Sequence, residues 1–179
     1  MTAFPTPELV DLLDSHMRVV PDFPEPGVQF RDITPLLADG PAFAALTTAL
    51  ADRYRGAIDA VAGLESRGFI LAAPLANALG IGMITMRKAG RLPGPVLSVD
   101  YSLEYGTARL EVQPQTVAPG ARVLIIDDVL ATGGTAAAAI ELVEAAGATV
   151  AGLTMLLELD ALGGRERISG YRLDSVLHY

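Results

Sequence analysis

At 179 residues, 51% of them hydrophobic and 6% aromatic, the chain is long enough for one well-packed α/β core and too apolar for a disordered polymer. A formal charge of −8 makes nucleic acid a poor partner, though a locally basic pocket can still take a small phosphorylated ligand. With no cysteine, disulfides, thiolate-bound metals and cysteine nucleophiles are excluded.

The first stretch, MTAFPTPELVDLLDSH, has no basic start and no long apolar run. It does not read as a signal peptide, and a cytoplasmic protein is expected. Leu9, Leu12, Leu13 and Met17 recur at helical spacing and predict an amphipathic helix over residues 7–20. Residues 21–37, PDFPEPGVQFRDITPLL, are too proline-rich for a regular helix. A helix follows over 41–54, with Pro41 in its first turn and Phe43, Leu46, Leu50 and Tyr54 on one face. An alternation then begins: strand 58–64, helix 68–79, strand 81–87, and a hairpin of 96–103 with 107–112. Strand 123–127, helix 135–146 closed by Gly147, strand 149–158 and a last strand over 172–177 complete it.

Residues 68–86 carry no charge and approach the length of a membrane span. Pro74, Asn77, Gly80 and Gly82 interrupt them, so they read as helix, turn and buried strand, and no membrane association is expected. Apolar strands alternating with helices predict a single α/β domain over 1–179, its central, mostly parallel sheet flanked by helices. In such sheets ligands bind beyond the strand C-termini, where loops lead into helices.

Three loops fall at such positions. In VLIIDDVLATGGT, residues 123–135, an apolar strand ends in Asp127-Asp128 and a glycine turn. Two carboxylates buried without partners would be very costly, so this strand end must meet solvent, a cation or hydroxyl groups. Gly133 and Gly134 permit unusual backbone angles and close approach, and the following helix start favours an anion. Thr132 and Thr135 add hydroxyls. The loop can hold a phosphate at its glycines and a polyhydroxylated group at its carboxylates; a phosphorylated sugar satisfies both. The alternative is a plain strand, glycine turn and helix with surface aspartates. There is no Walker Gly-Lys-Ser/Thr, and Gly-Ile-Gly at 80–82 is too little for a dinucleotide fingerprint.

The second loop, LESRGF (64–69), offers Arg67, a planar fork for phosphate; it reads equally as a helix capped by Ser66 with a surface arginine. The third, MRKAGRLPGP (86–95), gathers Arg87, Lys88 and Arg91 on a glycine- and proline-rich arm suited to closing over an anion, or forms a solvated basic turn. Glu104, in YSLEYG at the hairpin tip, is either a surface turn residue or a proton donor and acceptor. His16 and His178 read as structural or solvent-facing.

These segments, in this order, resemble those of the type I phosphoribosyltransferases. VLIIDDVLATGGT is similar to that family's 5-phosphoribosyl-1-pyrophosphate motif. PDFPEPGVQFRDITPLL, AGLESRGF, RKAGRLPGP and YSLEYG resemble the adenine-specific members from about residue 21 to 179. The first twenty residues match none of these motifs, and Gln29 falls at a variable position. The resemblance implies the type I fold, with a small N-terminal hood near 21–37 and a flexible β-hairpin loop near 88–110. It implies transfer of phosphoribose to adenine in purine salvage, giving AMP and pyrophosphate, by a homodimer. Mg²⁺ would come with the donor and be held mainly by substrate, with no protein metal ligand.

By the same resemblance, Ala131, Thr132, Gly133, Gly134 and Thr135 hold the 5′-phosphate. Asp127 and Asp128 face the ribose, although neighbouring strand residues point opposite ways and which of the two makes contact stays open. Ser66, in a strained peptide, with Arg67, Arg87 and Lys88, attends the pyrophosphate. Phe30 and Arg31 line the adenine pocket. Glu104 exchanges a proton with the purine, with Tyr105 beside it. A phosphoribosyltransferase for a 6-oxopurine would lack the proline-rich segment. A non-catalytic nucleotide sensor would need a DNA-binding module for which the chain has no spare residues and the wrong charge.

Overall fold

The structure, a computed structural model, describes residues 4–102 and 107–179. Glu104 and Tyr105 therefore lie outside the described residues. The chain divides into two compact units, 1–53 and 54–179.

In the N-terminal unit, helix α1 (Pro7–Asp14) begins where the Thr6 hydroxyl accepts the Leu9 N–H at 3.3 Å, and buries Leu9 and Leu13. The helix predicted over 7–20 stops six residues early. Arg18-Val19-Val20-Pro21 instead forms strand β1 (Arg18–Pro21), antiparallel to β2 (Gln29–Asp32). Adjacent valines followed by proline suit an edge ribbon better than a helix end. Asp32 closes the ribbon: it pairs with Arg18 and accepts from the Thr34 amide at 2.9 Å and the Thr34 hydroxyl at 2.8 Å. Those Thr34 bonds, with Arg18, hold its carboxyl below the ordinary value. The proline-rich segment does carry one short helical stretch, α2 (Thr34–Ala38), with Pro35 in its first turn. Helix α3 (Gly40–Tyr54) buries Ala42, Leu46, Leu50 and Tyr54 at helical spacing.

The larger unit is built on one sheet. Its elements are β3 (Ala60–Leu64), α4 (Arg67–Leu79), β4 (Gly82–Lys88), β5 (Leu97–Ser102), β6 (Thr107–Val112), β7 (Arg122–Leu130), α5 (Gly134–Ala145), β8 (Thr149–Glu158), α6 (Gly164–Arg167) and β9 (Leu173–His178). The strand order is β5-β6-β4-β3-β7-β8-β9. From β4 to β9 the pairings are parallel; β5 and β6 are an antiparallel edge. The uncharged stretch 68–86 is α4, a turn at Gly80 and most of β4. Among the described residues no helix is long and apolar enough to cross a membrane.

The alternation of β3 places the two helices. Ala62 and Leu64 belong to the cluster containing Ala139, Leu142 and Val143 of α5. Gly63, pointing the other way, faces α4, where a Cβ would come within 2.8 Å of the Ala72 methyl. Helices α4 and α5 thus cover opposite faces, and the loops that start them open at the same sheet edge.

Candidate active site

The ladder between β3 and β7 ends at the pair Gly63 and Ile126, whereas β7 runs on beside β8 to Leu130. Asp127 and Asp128 therefore stand just past the last paired residues, level with the end of β3 and the turn into α4. That overhang explains two adjacent acids at the end of a buried strand. Asp128, only 7% exposed, is met by Arg67, whose Nε lies 2.5 Å from its Oδ2. Asp127 accepts the Asp128 N–H at 2.9 Å and lies under the first turn of α4. There Gly68 leaves room for it: a Cβ would fall 2.8 Å from the Ile126 carbonyl and 2.9 Å from Asp127 Oδ1. Burial, and then the neighbouring Asp128 charge, push the Asp127 carboxyl well above its ordinary value.

The turn that follows is held from behind. Gly133 has φ +76° and leads into α5 at Gly134. A Cβ on Gly133 would meet the Gly164 carbonyl at 2.6 Å, and one on Gly164 would meet the Ala131 carbonyl at 2.2 Å. The start of α6 thus packs, backbone on backbone, against the loop. Only Gly133 of the two loop glycines has a positive φ; Gly134 is the first residue of the helix. The first N–H groups of α5 have no partner within the helix, and the N-cap residue, Gly133, has no side chain to cap them, so they offer an anion site.

The expected residues largely converge. Asp127, Asp128, the five residues 131–135, Ser66, Arg67 and Lys88 line one cleft of about 400 Å³, with Tyr101, Leu110 and Met155 supplying apolar wall. The peptide from Glu65 to Ser66 is cis, and Ser66 precedes α4 without capping it through its side chain. Arg87, on β4, is not itself a lining residue; its Nε reaches Glu65, which is. Phe30 and Arg31 lie on β2 of the N-terminal unit, Phe30 edge-on to Phe23 with ring centres 5.1 Å apart. His16 bonds the Leu12 carbonyl and His178 bonds Asp160, both away from the cleft lining.

The sequence places Glu65, with Ser66 and Arg67, among the polar groups at the sheet edge but gives it no role of its own, and it does not mark Gly68 or Gly164. A legible signal existed for the last, a Gly163-Gly164 pair shortly after the long strand now seen as β8. Nothing in the sequence says which loop such a pair will support.

A cleft that pairs strand-end carboxylates with a glycine-turn anion loop, at the open edge of a mostly parallel sheet, belongs to the phosphoribosyl transferase domain, and that family matches residues 35–177. The chain is 55% identical over 175 residues to the adenine phosphoribosyltransferase of Roseiflexus sp. (strain RS-1), covering 97% of this chain and 99% of that one. Among solved structures it is similar to the adenine phosphoribosyltransferase of Thermoanaerobacter pseudethanolicus, with TM-score 0.91, 43% identity and coverage of 95% and 99%. It is likewise similar to the Saccharomyces cerevisiae enzyme complexed with an imino-altritol bisphosphate and adenine, with TM-score 0.92, 37% identity and coverage of 96% and 100%. This chain belongs to the adenine phosphoribosyltransferase family.

Proposed function

We propose that the chain transfers phosphoribose from 5-phosphoribosyl-1-pyrophosphate to N9 of adenine, releasing AMP and pyrophosphate, as a purine salvage enzyme. The observation that carries this reading is the meeting of the Asp127-Asp128 pair, the turn 131–135 and Arg67 in one cleft. A phosphorylated sugar with an anionic leaving group needs a site of each kind. The 5′-phosphate goes to the turn, where the helix start contributes about 0.3–2 kcal/mol per charge and directed N–H bonds the rest. The ribose hydroxyls go to the carboxylates, of which Asp128 is aimed by Arg67. The pyrophosphate goes to Ser66, Arg67, Lys88 and Arg87.

As pyrophosphate leaves, positive charge grows at C1′, and the protein's task is to position the partners and stabilise charge. The nearby carboxylates favour a cationic sugar, and the basic side chains favour the departing anion. Phe30 and Arg31 are assigned to the adenine. Glu104, with Tyr105 beside it, is assigned to proton exchange with the purine, a role worth about 10²–10⁴-fold in rate.

The chemistry of the cleft fits a magnesium ion carried in by the donor. That metal keeps several waters and takes one or two carboxylates plus substrate phosphates. Asp127 and Asp128 supply two carboxylates, one engaged by Arg67 and one with its proton affinity raised, so substrate oxygens would hold most of the ion. Bound there, it would neutralise pyrophosphate charge. The oligomer we propose is a homodimer, in the cytoplasm. Exposed Leu12, Val19 and Phe23 of the N-terminal unit give a second copy apolar side chains to cover, and light scattering on the purified protein tests that state.

A coupled assay offering adenine, hypoxanthine and guanine separately, each with the pyrophosphate donor and Mg²⁺, tests the reaction. AMP formation from adenine alone is expected. Preferential use of hypoxanthine or guanine would reassign the base, and no turnover with any of them would leave a nucleotide-binding protein.

A further inference from the structure

The Glu65 carboxylate joins the basic arm to the strand end. Its side chain is 7% exposed, yet it accepts from three donors: Arg87 Nε at 3.1 Å, the Lys88 backbone N–H at 3.1 Å and Arg91 Nη1 at 2.6 Å. Arg87 in turn donates through Nη1 to the Arg91 carbonyl at 3.1 Å. One acid therefore touches every member of the basic group at 87–91, and it does so from the cleft wall. Without a counter-charge, three cations within five residues would repel one another, and two long guanidinium chains would be free to swing.

We infer that Glu65 is a positioning residue for the pyrophosphate end of the site, aiming Arg87 and the start of the basic arm through this three-donor contact. The inference rests on the assignment of Arg87 and Lys88 to the leaving group made above. Two effects of Glu65 on an anion oppose each other. Its negative charge repels pyrophosphate, and its directed bonds pre-order the groups that attract it. The geometry favours ordering. The bonds include a backbone amide, which fixes where the Lys88 side chain departs, and the carboxylate takes Arg87 at Nε while the Arg91 carbonyl takes Nη1, so the plane of the guanidinium is fixed from two sides. Its own proton is held less tightly than usual, because the donors outweigh burial, so it stays anionic at neutral pH.

The test compares Glu65→Gln, Glu65→Asp, Arg87→Gln and the Glu65→Gln/Arg87→Gln double variant. The readouts are calorimetric binding of inorganic pyrophosphate, donor and adenine KM, kcat and thermal midpoint. In Glu65→Gln, pyrophosphate Kd and donor KM are expected to rise at least about tenfold while adenine KM moves less than about twofold, a split that general loosening of the fold would not give. Glu65→Asp, which keeps the charge, is expected to fall between that variant and the wild type, and carries the test if the glutamine variant does not fold. In the Arg87→Gln background, Glu65→Gln is expected to add less than about threefold, because both changes remove one coupled contact. Unchanged or tighter pyrophosphate binding in Glu65→Gln, with Arg87→Gln still weakened, overturns the positioning role and leaves the leaving-group assignment standing. Unchanged binding in Arg87→Gln overturns both.

Discussion

The Arg67 guanidinium and the Asp128 carboxylate, separated by 2.5 Å, tie the first residue of α4 to the overhanging end of β7. The cation assigned to the pyrophosphate thereby aims the anion assigned to the ribose. Arg67→Gln is expected to act twice. Donor KM should rise at least about tenfold, since a charge-assisted contact to an anion is lost. Stability should fall by about 1–3 kcal/mol, because Asp128 stays buried with its charged partner gone. Steady-state kinetics and urea denaturation check the two effects; a variant weakened toward adenine but not the donor would contradict the assignment.

Asp127 gives a pH dependence whose sign follows from its surroundings. Burial and the Asp128 charge raise its folded-state pKa well above 3.8. The folded protein therefore holds this proton more tightly than the unfolded chain does. The contribution to stability is fully present below about pH 3.8 and is lost as pH rises through the folded value. Asp127→Asn cannot ionise, and its side-chain oxygen can still accept the Asp128 N–H. The variant is expected to be more stable than the wild type at pH 7, with the gain gone near pH 4. Urea midpoints at both pH values decide it: an equal difference at the two, or a loss at pH 7, would mean that folding does not raise the proton affinity of Asp127.

Much of this site can be read from the chain because its chemistry is local. Asp127-Asp128, the turn 131–135 and the ESR of 65–67 each lie within one strand-to-helix connection, and hydrophobic periodicity is enough to put such connections at one sheet edge. What stayed hidden depends on contacts between segments far apart. Gly164 matters because it touches Ala131, and Gly68 because it covers Asp127. Glu65 matters through residues 87–91, more than twenty positions on. The early end of α1 has another origin: Met17 fits a helical stripe, but pairing between β1 and β2 claims the residues directly after it.

Gly164 carries a prediction of its own. Added as Gly164→Ala, a Cβ would stand 2.2 Å from the Ala131 carbonyl and 3.0 Å from the Gly133 nitrogen, both backbone atoms that cannot swing aside. The turn must shift, and with it the N–H groups that hold the 5′-phosphate. Donor and AMP binding should each weaken at least about tenfold, the cost of losing about one hydrogen bond to a charged group, while pyrophosphate alone binds within about twofold of wild type. Calorimetry with AMP and with inorganic pyrophosphate separates the two ends. Equal loss for both ligands would point to general loosening of the fold instead.

Glu104 is assigned by resemblance to the proton that adenine loses as its ring nitrogen attacks C1′. A group that moves a proton in the transition state but does not hold the donor should affect turnover and leave ground-state donor affinity nearly intact. Glu104→Gln keeps the size and removes the ionisable group, so kcat is expected to fall at least about tenfold, with donor KM changed by less than about threefold. The reverse reaction, AMP with pyrophosphate, must return the proton along the same path. It should therefore slow by the same factor, because one transition state serves both directions. Initial rates measured in each direction check this. Unchanged turnover would remove Glu104 from the mechanism. A loss confined to donor KM would make it a binding residue and move the search for the proton acceptor to Tyr105.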